Sequence, residues 1–534
     1  MKNDSNRWNY FCNYIFQIQG EPAMEKYTLR EYLELLEEEG LVEYSSLRDA
    51  GGAELVHLTY ASGQAVPGTL FLCKGAAFKE EYLLEAIQRG ATAYVSEQCY
   101  EACGQVPHII VNNMRKAMAV LSKKFYGAPD EQLKVVGVTG TKGKTTTAYY
   151  IKAILDAYQR DHGRQPCGLI STIETYDGCS CQESRLTTPE SPELFGHFRN
   201  AADSGFQYMT MEVSSQALKY QRVRKITFDV GVFLNISEDH ISPSEHQDFE
   251  DYFSSKLSIF RQTGTACVNM DSDHAQRILK AARMAEHIVT FGTKGEPDIL
   301  GRNVRMQQGH LSFEVVCKEF TRKFELAMHG LFNIENALAA IAAAYSMGIP
   351  AEYMEKGLAK ARVRGRMEQY CSADGKVAAI VDFAHNRLSF EKLFDSVMLE
   401  YPGWRLVSIF GCPGGKAYNR RRDLGLIAGL YSQKLYLVAD DPGTEAPMEI
   451  SREIGQYAEI VGCPYECIED RGQAIRKAIH EAREKTVILV LGKGSEARQK
   501  YGRISYPCPA DGEYVEQGMR EYDNQNCRKN ALAV

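Results

Sequence analysis

The sequence predicts an α/β protein of three domains: a small N-terminal one, a central one built on a parallel sheet, and a C-terminal one of the same layered kind. Three observations predict it. A chain of 534 residues is too long for one hydrophobic core, since domains run to roughly 150 residues. Short apolar, β-branched runs alternate with helical stretches, which is the rhythm of a helix-covered parallel sheet. A glycine-rich turn also stands between one such strand and the helix after it, where phosphate binding makes physical sense.

The elements follow in order. Residues 1–23 have no clear period and read as an extension ahead of Met24. A first domain, 24–127, opens with leucines at helical spacing and continues with strands at 68–72 and 108–111 and helices around 83–88 and 116–125. Ala128-Pro129-Asp130 is a turn-like boundary. The central domain, 128–366, starts with a strand at 135–139, the glycine-rich turn and a helix through Leu155. Further strands are expected at 208–213, 229–236 and 265–270, and the alanine-rich stretch 333–347 as a packed helix. The last domain, 367–534, repeats the rhythm with strands at 378–383, 405–410, 434–439 and 486–491.

Composition narrows the function classes. Apolar residues at 44% and charged ones at 25% exclude a largely disordered chain. The 62 basic against 69 acidic residues give −7, without the basic excess of a nucleic-acid binder. No apolar run approaches the ~18 residues of a membrane span, and the first residues lack a signal core and a small-residue cleavage site. The 15 cysteines are scattered, with no two CxxC pairs to make a zinc site, and read as thiols of a reducing, cytoplasmic interior.

The sharpest motif is the run from Gly137 to Thr146, GVTGTKGKTT. Glycines let backbone N–H groups of Gly140, Thr141, Lys142 and Gly143 close around oxygen atoms, and the helix N-terminus adds positive potential. Lys144 is placed to neutralise β- and γ-phosphate charge, and Thr145, followed by Thr146, to offer a hydroxyl to Mg²⁺. The spacing departs from the usual Walker pattern, because Gly137 and Lys144 enclose six residues, Gly143 being the last of them. Kinases, motors, GTPases and ligases all use such loops. Two other strands end in acids and a histidine, at Glu212 and at Glu238-Asp239-His240. In doubly wound sheets ligands sit beyond the carboxyl ends of strands, so both deliver metal ligands to the edge where the loop lies.

The run GVTGTKGKTTTAYY resembles the ATP loop of the Mur ligases. LTTP at 186–189, MEVSSQALKYQR, FLNISEDH, Lys256 in YFSSKLSIF, HGLFNIENALAA, VRGRMEQ, VDFAHN and LGKGSE follow in that family's order, over roughly residues 40–510. Together they are similar to the tripeptide-forming members, most of all to the lysine-adding type. The resemblance implies a UDP-binding first domain, a P-loop ATPase domain and a Rossmann-like C-terminal domain. It implies ATP, Mg²⁺ and a CO₂-derived carbamate on Lys256 as cofactors, with catalysis by Lys144, Lys256 and His240. The metal would be held by Thr145, Glu212, His240 and Lys256. Asn336, Arg366 and Asp382 are implied for nucleotide binding. Ser62, Thr187, Thr188, Ser214 and Arg222 are implied for a UDP-MurNAc-dipeptide, although Ala61 and Gly63 depart from the family's Asp-Ser-Arg signature. The implied partners are that nucleotide and a free amino acid, with no nucleic acid and no membrane insertion, the chain acting as a monomer.

Members that add meso-diaminopimelate carry arginines that can pair with its second carboxylate. Here Gly443 and Ala417 stand at the matched positions. Asp440, Asp441, Gly492 and Glu496 make a site suited to an ammonium tail, so L-lysine leads, with diaminopimelate and ornithine as alternatives. Other readings are a non-catalytic paralogue, with Ser495 in place of the family's histidine, a small-molecule kinase, and a folylpolyglutamate synthetase relative.

Overall fold

A computed structural model describes residues 26–47, 54–75, 78–238, 245–307 and 310–532. The expected extension at 1–23 and the candidate ligand His240 lie outside the described residues. The backbone forms two compact units. One runs to Leu300 and includes Ala339–Met354; the other holds Gly301–Leu338 and continues from Glu355.

Among the described residues the first unit contains two large sheets and a short antiparallel pair, Tyr27–Thr28 with Glu54–Leu55. The smaller sheet is ordered Val42–Ser45, His108–Val111, Ala91–Ser96, Thr69–Leu72 and His57–Thr59, parallel except for its first strand. Helix Leu29–Glu38 begins where the sequence places it because Thr28 and Glu31 close a capping box. Leu29, Tyr32 and Leu36, one helical turn apart, then point to one side and are buried with Leu70, Val95 and Ile109.

The larger sheet is centred on Lys134–Thr139, with Tyr208–Glu212 on one side and Phe228–Phe233 on the other, all parallel. Gly168–Ile170 extends it one way, and Thr263–Asn269 and His287–Gly292 the other. Strands covered on both faces have no polar side to show, which is why VVGV and FDVGVF read as nearly continuous apolar runs. Gly137 is required in the central strand: a Cβ there would lie 2.7 Å from the ring of Phe228. Helix Lys144–Asp161 runs beyond the expected end at Leu155, because Tyr150, Ile151, Ile154, Leu155 and Ala157 keep the apolar stripe going.

The second unit holds a six-stranded sheet ordered Glu368–Cys371, Val377–Asp382, Thr486–Leu491, Arg405–Phe410, Lys434–Leu437 and Tyr465–Cys467. All are parallel but the first. Phe390, Phe394 and Ile454 pack one face, and Ile475, Ile479 and Val515 the other. Two antiparallel hairpins, His310–Val316 with Thr321–Leu326 and Arg498–Tyr501 with Ile504–Pro507, were not expected from the sequence. Among the described residues every cysteine is a free thiol, and no helix is long and apolar enough to cross a membrane.

One buried ion pair braces the second unit. Arg471 donates to both oxygens of Asp511, at 2.6 and 2.7 Å, and to the carbonyl of Leu491 at 2.7 Å, while Gly494 N donates to the same carboxylate at 3.2 Å. Removing one member of such a pair strands the other's charge, which costs ~3–5 kcal/mol. Asp511→Ala is therefore expected to lower unfolding stability by ~3–5 kcal/mol in a urea titration, and a loss within experimental error would show that the pair is solvated.

Candidate active site

The parallel topology brings the candidate residues to strand ends. Thr139 leads directly into the glycine-rich loop, Glu212 closes the strand on one side, and Asn235 follows the strand on the other. Gly143, at φ +87°, makes the left-handed turn into the helix, a conformation that costs glycine no Cβ clash. Gly140 has its own reason: a Cβ there would sit 2.9 Å from that of Leu234. The helix begins at Lys144, so its first-turn N–H groups and positive dipole end face the loop.

Two lysines converge on one acceptor. The ammonium groups of Lys144 and Lys256 each donate to the carbonyl of Gly140 at 2.9 Å, and Lys144 also reaches the carbonyl of Thr141 at 3.2 Å. Lys256 is only 1% exposed and lies 4.8 Å from the ring of Tyr252, whose hydroxyl bonds Thr141 Oγ1 at 3.0 Å. Two ammonium groups brought this close, one of them buried, raise the local positive potential, which an entering anion would lower.

Glu212, 1% exposed, accepts from Thr145 Oγ1 at 2.8 Å and from Thr172 N at 2.7 Å, both through Oε1. Its Oε2 is buried with no hydrogen-bond partner. A buried carboxylate oxygen left open beside a threonine hydroxyl is the hard-oxygen donor set that Mg²⁺ takes. The residues present fit that ion, although no described group of three or more His, Cys, Asp or Glu could hold a metal.

The same edge gathers the residues expected to hold a peptide-bearing nucleotide. Thr187 Oγ1 accepts from Thr172 Oγ1 at 3.1 Å. Thr188 Oγ1 donates to the carbonyl of Glu212 at 2.9 Å and accepts from Ser214 N at 3.0 Å. Arg222 donates to the carbonyl of Thr188 at 3.2 Å and pairs with Glu190 at 3.0 Å. Ser62 stands in the smaller sheet's loop, with its hydroxyl on Glu85 at 2.7 Å.

In the second unit, Asp382 accepts from Met367 N and Ala384 N, both at 2.8 Å, so its carboxylate is fastened to backbone on two sides. Arg366 lies over the ring of Phe383 at 4.4 Å, and Asn336 Nδ2 donates to Asn333 Oδ1 at 2.9 Å.

The acidic cluster holds a cation of its own. Asp441 and Glu496 are not open to an incoming ammonium alone, because Lys493 already lies at 3.0 Å from the first and 3.4 Å from the second. Lys493 is 2% exposed. Burial opposes its charge, but the carboxylates of Asp440, Asp441 and Glu496 outweigh that and hold it above the ordinary lysine value. Burial pushes Asp440 and Glu496 up in turn. Gly492, at φ +108°, is where Asp440 comes close: a Cβ would meet its Oδ2 at 2.6 Å. Gly443 and Ala417 both have left-handed backbones, at φ +60° and +51°.

Sequence reasoning missed two residues. Asn235 clamps the loop from the neighbouring strand: its Oδ1 accepts from Lys142 N at 2.8 Å, its Nδ2 donates to Lys142 O at 3.1 Å, and its carbonyl accepts from Thr141 N at 3.0 Å. The signal was present, since Asn235 lies in the same FLNISEDH run as His240. His246, fully buried, bonds Ser215 Oγ at 3.0 Å beside the Glu212 strand end. Burial holds it below the ordinary imidazole value. Nothing in its neighbours' spacing marks it.

A P-loop at the centre of a parallel sheet, a carboxylate on the next strand end and a separate α/β unit define a P-loop nucleotide-binding protein of layered α/β build. Two stretches fix the family: residues 138–344 match the Mur ligase middle domain and 365–494 the Mur ligase, glutamate ligase domain. The chain belongs to the Mur ligase family. It is 38% identical over 454 residues to the UDP-N-acetylmuramoyl-L-alanyl-D-glutamate–L-lysine ligase of Streptococcus pneumoniae serotype 4, covering 84% of this chain and 90% of that one. It is 37% identical over 468 residues to the ligase of the same name from Enterococcus faecalis, covering 86% and 91%. Among solved structures, a UDP-N-acetylmuramoyl-L-alanyl-D-glutamate–2,6-diaminopimelate ligase shares the fold with a TM-score of 0.64 at 21% identity, covering 94% of this chain and 100% of that one.

Asn235→Ala removes both side-chain bonds to Lys142. At ~1–3 kcal/mol for a buried group left unpaired, it is expected to raise the KM for ATP roughly tenfold while leaving the circular dichroism spectrum unchanged. An unaltered KM would show that the loop holds its shape without the clamp.

Proposed function

We propose that the chain is an ATP-dependent ligase that adds L-lysine to UDP-MurNAc-L-Ala-D-Glu, a step of peptidoglycan precursor synthesis. The observation that carries it is the convergence of Lys144 and Lys256 on the Gly140 carbonyl beside the half-open carboxylate of Glu212. That is a place for phosphate and metal together. The names of relatives matched over most of the chain supply the substrates. The reading takes the three-domain division at 24–127, 128–366 and 367–534 and a cytoplasmic location, in keeping with the described free thiols.

The chemistry asks for what these residues offer. A carboxylate oxygen of the dipeptide attacks the γ-phosphorus of ATP, the bond to the β-phosphate oxygen breaks, and ADP leaves. The acyl phosphate is then attacked at its carbonyl carbon by the uncharged α-amino group of lysine. The tetrahedral species collapses by releasing inorganic phosphate, and the amide nitrogen loses a proton. Two anions must meet in the first step, so positive charge does most of the work. Lys144 and the loop N–H groups of Gly140–Thr146 neutralise the phosphates. Thr145 and Glu212, with His240 and a carbamate on Lys256, would hold Mg²⁺, which when bound supplies further positive charge at the phosphates. A carbamate turns Lys256 from a second ammonium beside Lys144 into an anion, which relieves their repulsion. Thr187, Thr188, Ser214 and Arg222 position the dipeptide, with Ser62 at the uridine end, and Asn336, Arg366 and Asp382 hold the nucleotide.

The acidic cluster favours lysine over diaminopimelate by charge. Three carboxylates, Asp440, Asp441 and Glu496, surround Lys493, with Arg471 and Arg498 also acting on the cluster, and a further carboxylate brought there would meet like charge. Gly443 and Ala417 offer no guanidinium to reverse that.

Incubation with ATP, UDP-MurNAc-L-Ala-D-Glu and single amino acids, read by phosphate release, tests the reading; preference for diaminopimelate would overturn the lysine assignment. Lys144→Ala and Glu212→Ala are each expected to abolish ligation with the fold intact, and ordinary turnover in either would remove the phosphate site from consideration. Lys256→Ala is expected to be nearly inactive and partly rescued by a short carboxylic acid; full activity without additive would refute the carbamate. Asp440→Asn is expected to raise the KM for lysine about tenfold to a hundredfold, a charge-assisted contact being worth ~1.5–3 kcal/mol, with a smaller effect on that for ATP.

A further inference from the structure

A second cation stands beside Arg222 that neither the sequence motifs nor the proposed reaction has used. Lys74 lies just past strand Thr69–Leu72 of the smaller sheet, next to the strand His57–Thr59 that leads into Tyr60 and Ser62. Lys74 and Ser62 thus share the carboxyl edge of that sheet, where ligands of parallel sheets bind. The Lys74 ammonium reaches Glu190 at 2.8 Å and sits 4.4 Å from the centre of the Tyr60 ring. Glu190 is the same carboxylate that pairs with Arg222 at 3.0 Å. All three side chains are largely buried, at 17%, 7% and 10% exposure for Lys74, Glu190 and Arg222. Glu193, the other nearby acid, accepts the hydroxyl hydrogen of Tyr60.

One carboxylate therefore serves two cations. Glu193 adds negative charge nearby through Tyr60, but the two cations share one directly paired carboxylate, and Arg222 Nε is buried without a hydrogen bond, so donor capacity is left for an entering anion. Glu190 follows Thr188 by two residues, and Arg222 is tied to the carbonyl of Thr188, so the pair borders the threonines assigned to the peptide-bearing nucleotide. That ligand carries a diphosphate and peptide carboxylates.

We propose that Lys74 is a substrate-binding residue, and that with Arg222 it forms a two-cation seat, spaced by Glu190, for an anionic group of the UDP-sugar peptide. The inference rests on the ligase reading. The seat joins Ser62 on one sheet to Thr188 on the other, so that the nucleotide-sugar is held at both of its ends. Tyr60 sets the direction of the ammonium by stacking beneath it.

The test is calorimetric binding of UDP-MurNAc-L-Ala-D-Glu to the full chain, with ATP-analogue binding measured alongside. Lys74→Met is expected to weaken the UDP-sugar peptide about tenfold to a hundredfold, as loss of a charge-assisted contact does, and to leave the ATP analogue unchanged. Lys74→Arg is expected to retain most of the affinity. The discriminating variant is Lys74→Met combined with Glu190→Gln, which removes the stranded carboxylate. If Lys74 contacts the ligand, the double variant stays weak. Recovery to wild-type affinity in the double variant would show that Lys74 only neutralises Glu190, and would overturn the proposal. So would unchanged affinity in Lys74→Met. Melting temperatures of all four proteins separate misfolding from lost binding. UDP-GlcNAc, which has the diphosphate but no carboxylate, identifies the anion: a penalty with both ligands supports the diphosphate, and a penalty with the dipeptide alone supports a carboxylate. Wild-type protein that binds neither would instead bring down the ligase reading, and this seat with it.

Discussion

The Gly140 carbonyl accepts hydrogen bonds from two lysines that arrive from different parts of the chain, Lys144 from the helix after the loop and Lys256 from a helix more than a hundred residues on. Much of the first unit serves to make that meeting possible. The loop can approach Leu234 and Asn235 closely only because residue 140 has no Cβ. Asn235 then fixes the loop by taking both backbone groups of Lys142. Helix Phe249–Leu257 buries Lys256, with Asp248 capping its start on Asp251 N. Two ammonium groups thus meet at one backbone carbonyl, next to the helix N-terminus that follows the loop.

Charge is handled in the second unit by the opposite device. There the excess is negative, and Lys493 is the built-in partial answer. An internal lysine among three carboxylates, helped by Arg471 and Arg498, offsets their mutual repulsion. Neither unit depends on a covalent nucleophile.

Much of this was legible in the sequence because the chemistry is local. The loop, its strand and its helix are contiguous, and strands at 405–410 and 486–491 fell where expected to the residue. Apolar runs covered on both faces announce themselves. The hairpins at residues 310–326 and 498–507 did not, since their strands alternate polar and apolar residues or are largely exposed. The site was legible where a motif spans few residues, as with Thr187-Thr188 or Glu212. It was hidden where partners are distant in sequence: nothing near Lys74 names Glu190, and nothing near Asp441 names Lys493. Pairing across the fold is a property of topology. A sequence shows the charge but not whom it meets.

Asp511 has a consequence for how the protein is made. The loop bearing Gly492, Lys493 and Glu496 is held by Arg471 and by Gly494 N, and both depend on the carboxylate at the head of helix Asp511–Leu532. Arg471 is synthesised long before its partner. A chain that ends before Asp511 carries an arginine without the bidentate partner against which its charge is buried. All six strands of the sheet would be present in such a chain, since Thr486–Leu491 is the last of them, but the turn after that strand would lack its fastening to the helix.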